Sequence, residues 1–173
     1  TIWEIISNVF TLSLIYSTIR VSVSIIYAGM GEMITERSGV LNIGLEGIML
    51  MGAFSAAIVT HFTTNPWIGL ASAAFVGILI ALIFAFIAIT LKAQQAIAGL
   101  AIFLLGVGLS GYLLQIIFQH GGNSPMVPTL PIIHIAFLES IPILGPIFND
   151  HSVLMFPALL LPLFLHFFFY NTP

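Results

Sequence analysis

Long uncharged runs alternate with short polar interruptions along this chain. Residues 5–30 are apolar apart from one embedded Arg20. The stretch GEMITERSG follows at 31–39 and carries Glu32, Glu36 and Arg37, the densest charge in the chain. Residues 40–60 form a second apolar run with Glu46 inside it, and 61–66 is a polar turn ending in Asn65-Pro66, a turn and helix-start signal. Residues 67–91 then run for 25 positions without a charge. Lys92-Ala93-Gln94-Gln95 interrupts, and 96–118 is again apolar. Each run is long enough for a spanning helix, which needs about 20 residues. Residues 119–150 break the pattern with Gly121-Gly122-Asn123 and with Pro125, Pro128, Pro131, Pro142 and Pro146. No ordinary helix passes through so many prolines, so a Pro-rich outer loop or re-entrant segment is expected there. Residues 152–170 make the last run, which Pro157 and Pro162 are expected to kink. The pattern predicts an all-α fold: a polytopic integral membrane helix bundle of about five transmembrane helices, in a single transmembrane domain over 1–173.

Composition removes the alternatives. Hydrophobic residues make up 60 % of the 173 positions and charged residues 5 %, against roughly 25 % charged in a soluble domain. A water-soluble fold cannot be covered by nine formal charges, and so apolar a chain does not stay disordered. Three basic residues and a net charge of −3 argue against nucleic acid as a partner. Cysteine is absent, which excludes disulfides, thiolate metal sites and a thiol nucleophile. No basic segment precedes the first apolar run, so it is expected to be retained as a span. Five spans put the termini on opposite sides. With Arg37 and Lys92 inside, the loops at 61–66 and 119–150 hold no Lys or Arg, which sets the N-terminus outside.

Two patterns point to packing and to chemistry. Gly69, Ala73, Gly77, Ala81 and Ala85 recur every four residues, a small-residue face that lets a second helix approach closely. Gly39, Gly44 and Gly47 fall within nine residues, around Asn42 and Glu46. Such a cluster marks tight packing or a broken helix, and broken helices build polar sites in transporters. Glu46 would be an ionisable group within an apolar span, which must be paired, protonated or wet. Arg20 is a partner by charge alone, and Glu46 reads equally as a gating group or as a structural tie between helices. Asn42, Glu46, Gly39, Gly44 and Gly47 are therefore the candidate substrate path, with Gln94 and Gln95 second. Glu36 and Arg37 read as a solvated pair at a helix start, with Ser38 as its N-cap, and as a candidate contact for a cytoplasmic partner. The five histidines show no metal-ligand spacing, and no phosphate loop, dinucleotide fingerprint or nucleophile elbow is present. No metal, no cofactor and no covalent chemistry are expected.

The segment GEMITERSGVLNIGLEGIMLMGAF at 31–54 resembles the signature of permease subunits of bacterial ATP-binding-cassette (ABC) importers, in the branched-chain amino acid, ribose and nucleoside permease family. It looks most like the nucleoside branch served by basic-membrane-protein-type lipoproteins. The resemblance continues through LKAQQAIAGLAIFLLGVGLSG, IPILGPIF and the closing FFFYNTP, and so covers in effect the whole chain. It departs at Val23-Ser24, where the family often has Thr-Pro, and at Phe103, where it often has Asn. Family permeases are about three hundred residues long, so the chain reads as an N-terminal portion, with the later spans and the ATPase-docking segment absent. The resemblance implies a multi-pass protein of the bacterial inner membrane that is no enzyme. It implies a second permease subunit, a cytoplasmic ABC ATPase and an extracytoplasmic substrate-binding lipoprotein as partners, besides membrane lipid. Two other readings stand beside it: an ion-coupled carrier or channel, and a truncated fragment that inserts without transporting.

Overall fold

The structure is a computed structural model that describes residues 12–119, 126–134 and 151–171. Helix α1 spans Leu12–Arg37, α2 Leu45–Thr63, α3 Pro66–Ala85 and α4 Gln95–Phe118, and α5 spans Met155–Asn171. The first four are long and apolar enough to cross a membrane, and α5 is a shorter apolar helix. This is an all-α membrane helix bundle, as the alternation of apolar runs predicts. A two-residue strand, β1 at Ile132–Ile133, pairs antiparallel with β2 at His151–Ser152. Of the Pro-rich stretch at 119–150, only Gln119 and residues 126–134 are described; a re-entrant segment over 120–125 or 135–150 lies outside the described residues.

Element ends differ from the sequence pattern in three places. Helix α1 runs on through Glu32, Glu36 and Arg37 instead of stopping before them. Glu36 and Arg37 therefore end a helix rather than start one, and Ser38 is not an N-cap: its hydroxyl donates back to the Thr35 carbonyl at 2.7 Å. At 26 residues α1 is about 39 Å long, more than the roughly 30 Å of hydrocarbon in a bilayer, so it is long enough to carry its last charged turns beyond an apolar layer. Arg37 in the final turn also suits the negative end of the helix dipole. Helix α2 begins at Leu45 and leaves 38–44 non-helical. The last helix begins at Met155, because Ser152 belongs to β2.

Helices α2 and α3 form a hairpin through Thr64 and Asn65. Thr64 adopts a left-handed φ of 55° and donates its N–H to Thr60 O at 2.8 Å. Asn65 then caps α3 by accepting from Trp67 N–H at 3.0 Å, with Pro66 in the first helical turn where its missing N–H costs nothing. The far end of α3 loosens into a π-helical turn at Phe86–Thr90, and Lys92 follows with a φ of 53°.

The chain divides into two compact units, residues 1–30 with 130–173 and residues 31–129. In the first, the Tyr27 hydroxyl donates to Leu154 O at 2.9 Å and the Tyr16 ring stacks on buried His151 at 4.4 Å. Met155 and Ala158 at the start of α5 are almost fully buried. Pro157 sits in the first turn of α5, where no N–H is needed, whereas Pro162 lies inside the helix. In the second unit the core is Met51 of α2, Ile80 and Phe84 of α3, Ala88 of the π turn, and Ala98 and Ile102 of α4.

Candidate functional site

The second unit is built around the break between α1 and α2. Helix α1 ends at Gly39, whose φ of +84° glycine adopts without a Cβ penalty. Gly39 N–H donates to Glu36 O at 2.9 Å and Val40 N–H to Thr35 O at 3.0 Å. That pair of bonds is the Schellman arrangement, in which a left-handed glycine closes a helix. Gly39 therefore terminates α1, and its conformation has a local structural cause.

Beyond Gly39 the backbone stays non-helical up to the first turn of α2, and side chains bind its exposed groups. Gln95, in the first turn of α4, accepts from Leu41 N–H at 2.8 Å through Oε1 and donates to Gly39 O at 3.4 Å through Nε2. Glu32 Oε1 accepts from Asn42 N–H at 2.8 Å, while its Oε2 accepts from the Thr35 hydroxyl at 3.2 Å. Asn42 is 8 % exposed, and its Oδ1 accepts from Gly44 N–H at 3.0 Å, an Asx turn that shapes the entry to α2. Three chain segments thus meet through Glu32, Asn42 and Gln95.

Glycines then set how closely the helices pass. A Cβ at Gly44 would stand 2.7 Å from Gly99 O, and one at Gly99 would stand 2.8 Å from Gly44 N. A Cβ at Gly47 would stand 2.6 Å from Ile102 O and 2.7 Å from Phe103 Cα, and one at Gly106 would stand 2.6 Å from Gly47 Cα. Backbone meets backbone along this line, so α2 and α4 run side by side in the same direction. At the other end His61 of α2 makes an edge contact with Phe118 of α4, with centroids 5.2 Å apart.

The remaining candidates separate. Glu46 is not in the middle of a span: it lies in the first turn of α2 and is exposed. There its carboxylate faces the positive end of the helix dipole, so no deeply buried charge has to be offset. Gln94 is exposed and makes no side-chain cap, while Gln95 is bound to the backbone at 39–41. Glu36 and Arg37 are exposed at the end of α1. Within the small-residue stripe, Gly69 is buried, and a Cβ there would collide with Thr60 Oγ1 and lie 3.0 Å from Ala56 O. Ala73 faces Gly52 and Gly77 faces Ile48, both on α2. Ala85 is half-buried, whereas Ala81 is exposed, because the buried line passes instead through Ile80, Phe84 and Ala88. Sequence reasoning missed Glu32 and Thr60. Glu32 stands in what reads as a loop, and the signal that could have found it is the run of unbonded N–H groups that a helix break leaves behind. Among the described residues no group of three or more His, Asp or Glu side chains could hold a metal ion.

Residues 14–173 match the family model described as the permease component of the branched-chain amino acid transport system. A putative glucose ABC transporter permease protein of Haloferax volcanii, TsgC13, is 34 % identical over 94 % of this chain and 49 % of its own length. The guanosine ABC transporter permease protein NupQ of Bacillus subtilis is 31 % identical over 98 % of this chain and 54 % of its own. The nucleoside ABC transporter permease protein NupC of Lactococcus lactis is 32 % identical over 82 % of this chain and 44 % of its own. The chain therefore spans about half the length of the curated relatives it matches. No solved structure matches it significantly.

Proposed function

The chain belongs to the family of permease components of branched-chain amino acid transport systems, and from that premise we propose that it is the membrane-spanning part of an ABC importer for nucleosides. The observation that carries this reading is the family match across the whole bundle, from residue 14 to 173. Two relatives with nucleoside or guanosine in their names support the substrate class. The glucose permease relative supports a sugar as the second reading; a nucleoside contains a pentose, so the two classes share a ring of hydroxyls.

In this reading the chain is a multi-pass protein of the inner membrane and a transport subunit with no ATPase site of its own. A cytoplasmic ABC ATPase drives alternating access, a second permease subunit completes the path, and an extracytoplasmic lipoprotein delivers the substrate. The loops at 38–44 and 91–94 face the cytoplasm and Thr64–Asn65 faces outward. Lipid covers outward apolar side chains such as Val21, Phe75, Leu82 and Leu104. Asn42, Glu46, Gln94 and the backbone of Gly39, Gly44 and Gly47 form the polar element at the cytoplasmic end of the path, and Glu36 and Arg37 are offered to the cytoplasmic partner. All of these act by binding and by changing access. None transfers an atom.

Competition of uptake tests the substrate class. Cells carrying the intact gene are expected to take up labelled guanosine, an excess of unlabelled nucleosides is expected to block it, and deletion of the gene is expected to abolish it. Competition by glucose with none by nucleosides would select the sugar reading instead. Within the site, Glu46→Gln is expected to lower uptake several-fold at unchanged membrane insertion; unaltered uptake removes Glu46 from the path.

A further inference from the structure

The break between α1 and α2 leaves donors and an acceptor that a continuous helix would have satisfied internally. At a helix end such groups are satisfied by water or by other parts of the protein. Here they find them in side chains from two other places in the chain. Gln95 of α4 accepts from Leu41 N–H and donates to Gly39 O, imitating a neighbouring backbone amide. Glu32, one turn before the end of α1, accepts from Asn42 N–H at 2.8 Å. The Asn42 amide oxygen then receives Gly44 N–H, so that Asn42 is held from its backbone while its side chain shapes the start of α2. Nothing in the apolar pattern required a carboxylate at 32 or an amide at 95.

We propose that Glu32 and Gln95 are positioning residues for transport, holding the non-helical segment 38–44 so that Asn42 and the first turn of α2 keep their place in the path. The proposal rests on the permease reading above. Glu32 acts as an acceptor for one backbone N–H, and Gln95 acts as a paired acceptor and donor. A glutamine at 32 keeps an acceptor oxygen at the same reach, whereas an alanine keeps none. At 95, a glutamate keeps the acceptor for Leu41 N–H and loses the donor to Gly39 O.

The test uses the full-length protein, purified in lipid nanodiscs for hydrogen exchange and expressed in cells for uptake. Glu32→Ala and Gln95→Ala are each expected to speed exchange across 38–44 by about tenfold, the order set by losing one strong hydrogen bond. Exchange in the middle of α3 should stay unchanged. The same variants are expected to lower maximal nucleoside uptake about tenfold, and Glu32→Gln is expected to restore both readouts to within about threefold of the wild type. Unchanged exchange at 38–44 in both alanine variants would overturn the proposal. So would faster exchange with full uptake, which would make the two residues structural ties only. If Glu32→Ala does not insert, Gln95→Ala, at the start of α4, decides alone. A wild-type protein that takes up no nucleoside refutes the permease reading itself, whatever the exchange shows.

Discussion

At Gly47 the difference between a glycine and an alanine is one methyl group with nowhere to go. Its nearest neighbours would be Ile102 O and Phe103 Cα, both backbone atoms that cannot rotate aside. Gly47→Ala must therefore push α2 away from α4, at a cost of about 1–3 kcal/mol or more. Gly108 lies on the same helix α4, and a Cβ there would meet nothing within 4 Å. Gly108→Ala should be neutral or stabilising by up to about 1 kcal/mol, as expected for a helix interior. Thermal unfolding of the two variants in detergent tests the pair: the melting temperature falls for Gly47→Ala and holds or rises for Gly108→Ala. Equal shifts would contradict the close approach of α2 and α4. Gly39 is a third case. Its φ of +84° makes Gly39→Ala unfavourable by about 1–2 kcal/mol even though the space around it is open. The glycine cluster is legible as a break or a close contact from spacing alone. Which glycine does which is not, because spacing does not tell a left-handed helix end from a backbone contact.

At the scale of elements, apolar runs locate the five α-helices among the described residues, since a long apolar helix leaves little freedom in composition. Their ends are less legible. A cluster of charge suggests the edge of a helix, but α1 carries Glu32, Glu36 and Arg37 in its last two turns. A helix emerging from the apolar layer keeps its backbone bonds while its side chains become polar, so charge marks the edge of the membrane and not the end of the helix. Asn65-Pro66 is legible for a definite reason: both residues act locally, one as a side-chain cap and the other through its fixed φ. Asn65→Ala is expected to destabilise the α2–α3 hairpin by about 1 kcal/mol, read as a lower melting temperature with insertion unchanged. The contact of Gln95 with 39–41 is beyond the reach of a sequence pattern, because it joins residues more than 50 positions apart.

At the scale of the whole molecule, the same contact places the 38–44 and 91–95 segments at one end of the second unit, and the Thr64–Asn65 turn closes the opposite end of α2 and α3. These 173 residues hold no cysteine, so single cysteines placed among them report on their own positions once any cysteine elsewhere in the full-length protein is replaced by serine. Ser38→Cys and Lys92→Cys are expected to react with a membrane-impermeant maleimide only once the cytoplasmic side is opened, and Thr64→Cys in intact cells. Labelling of Ser38→Cys and Thr64→Cys from the same side would contradict the hairpin. The energy source decides the central claim. Labelled guanosine uptake should be measured in cells expressing the full-length protein, once with ATP depleted and the ion gradient maintained, and once with the gradient collapsed and ATP maintained. An ABC permease predicts that uptake stops in the first condition and persists in the second. Uptake that survives ATP depletion and disappears with the gradient would contradict it and identify an ion-coupled carrier.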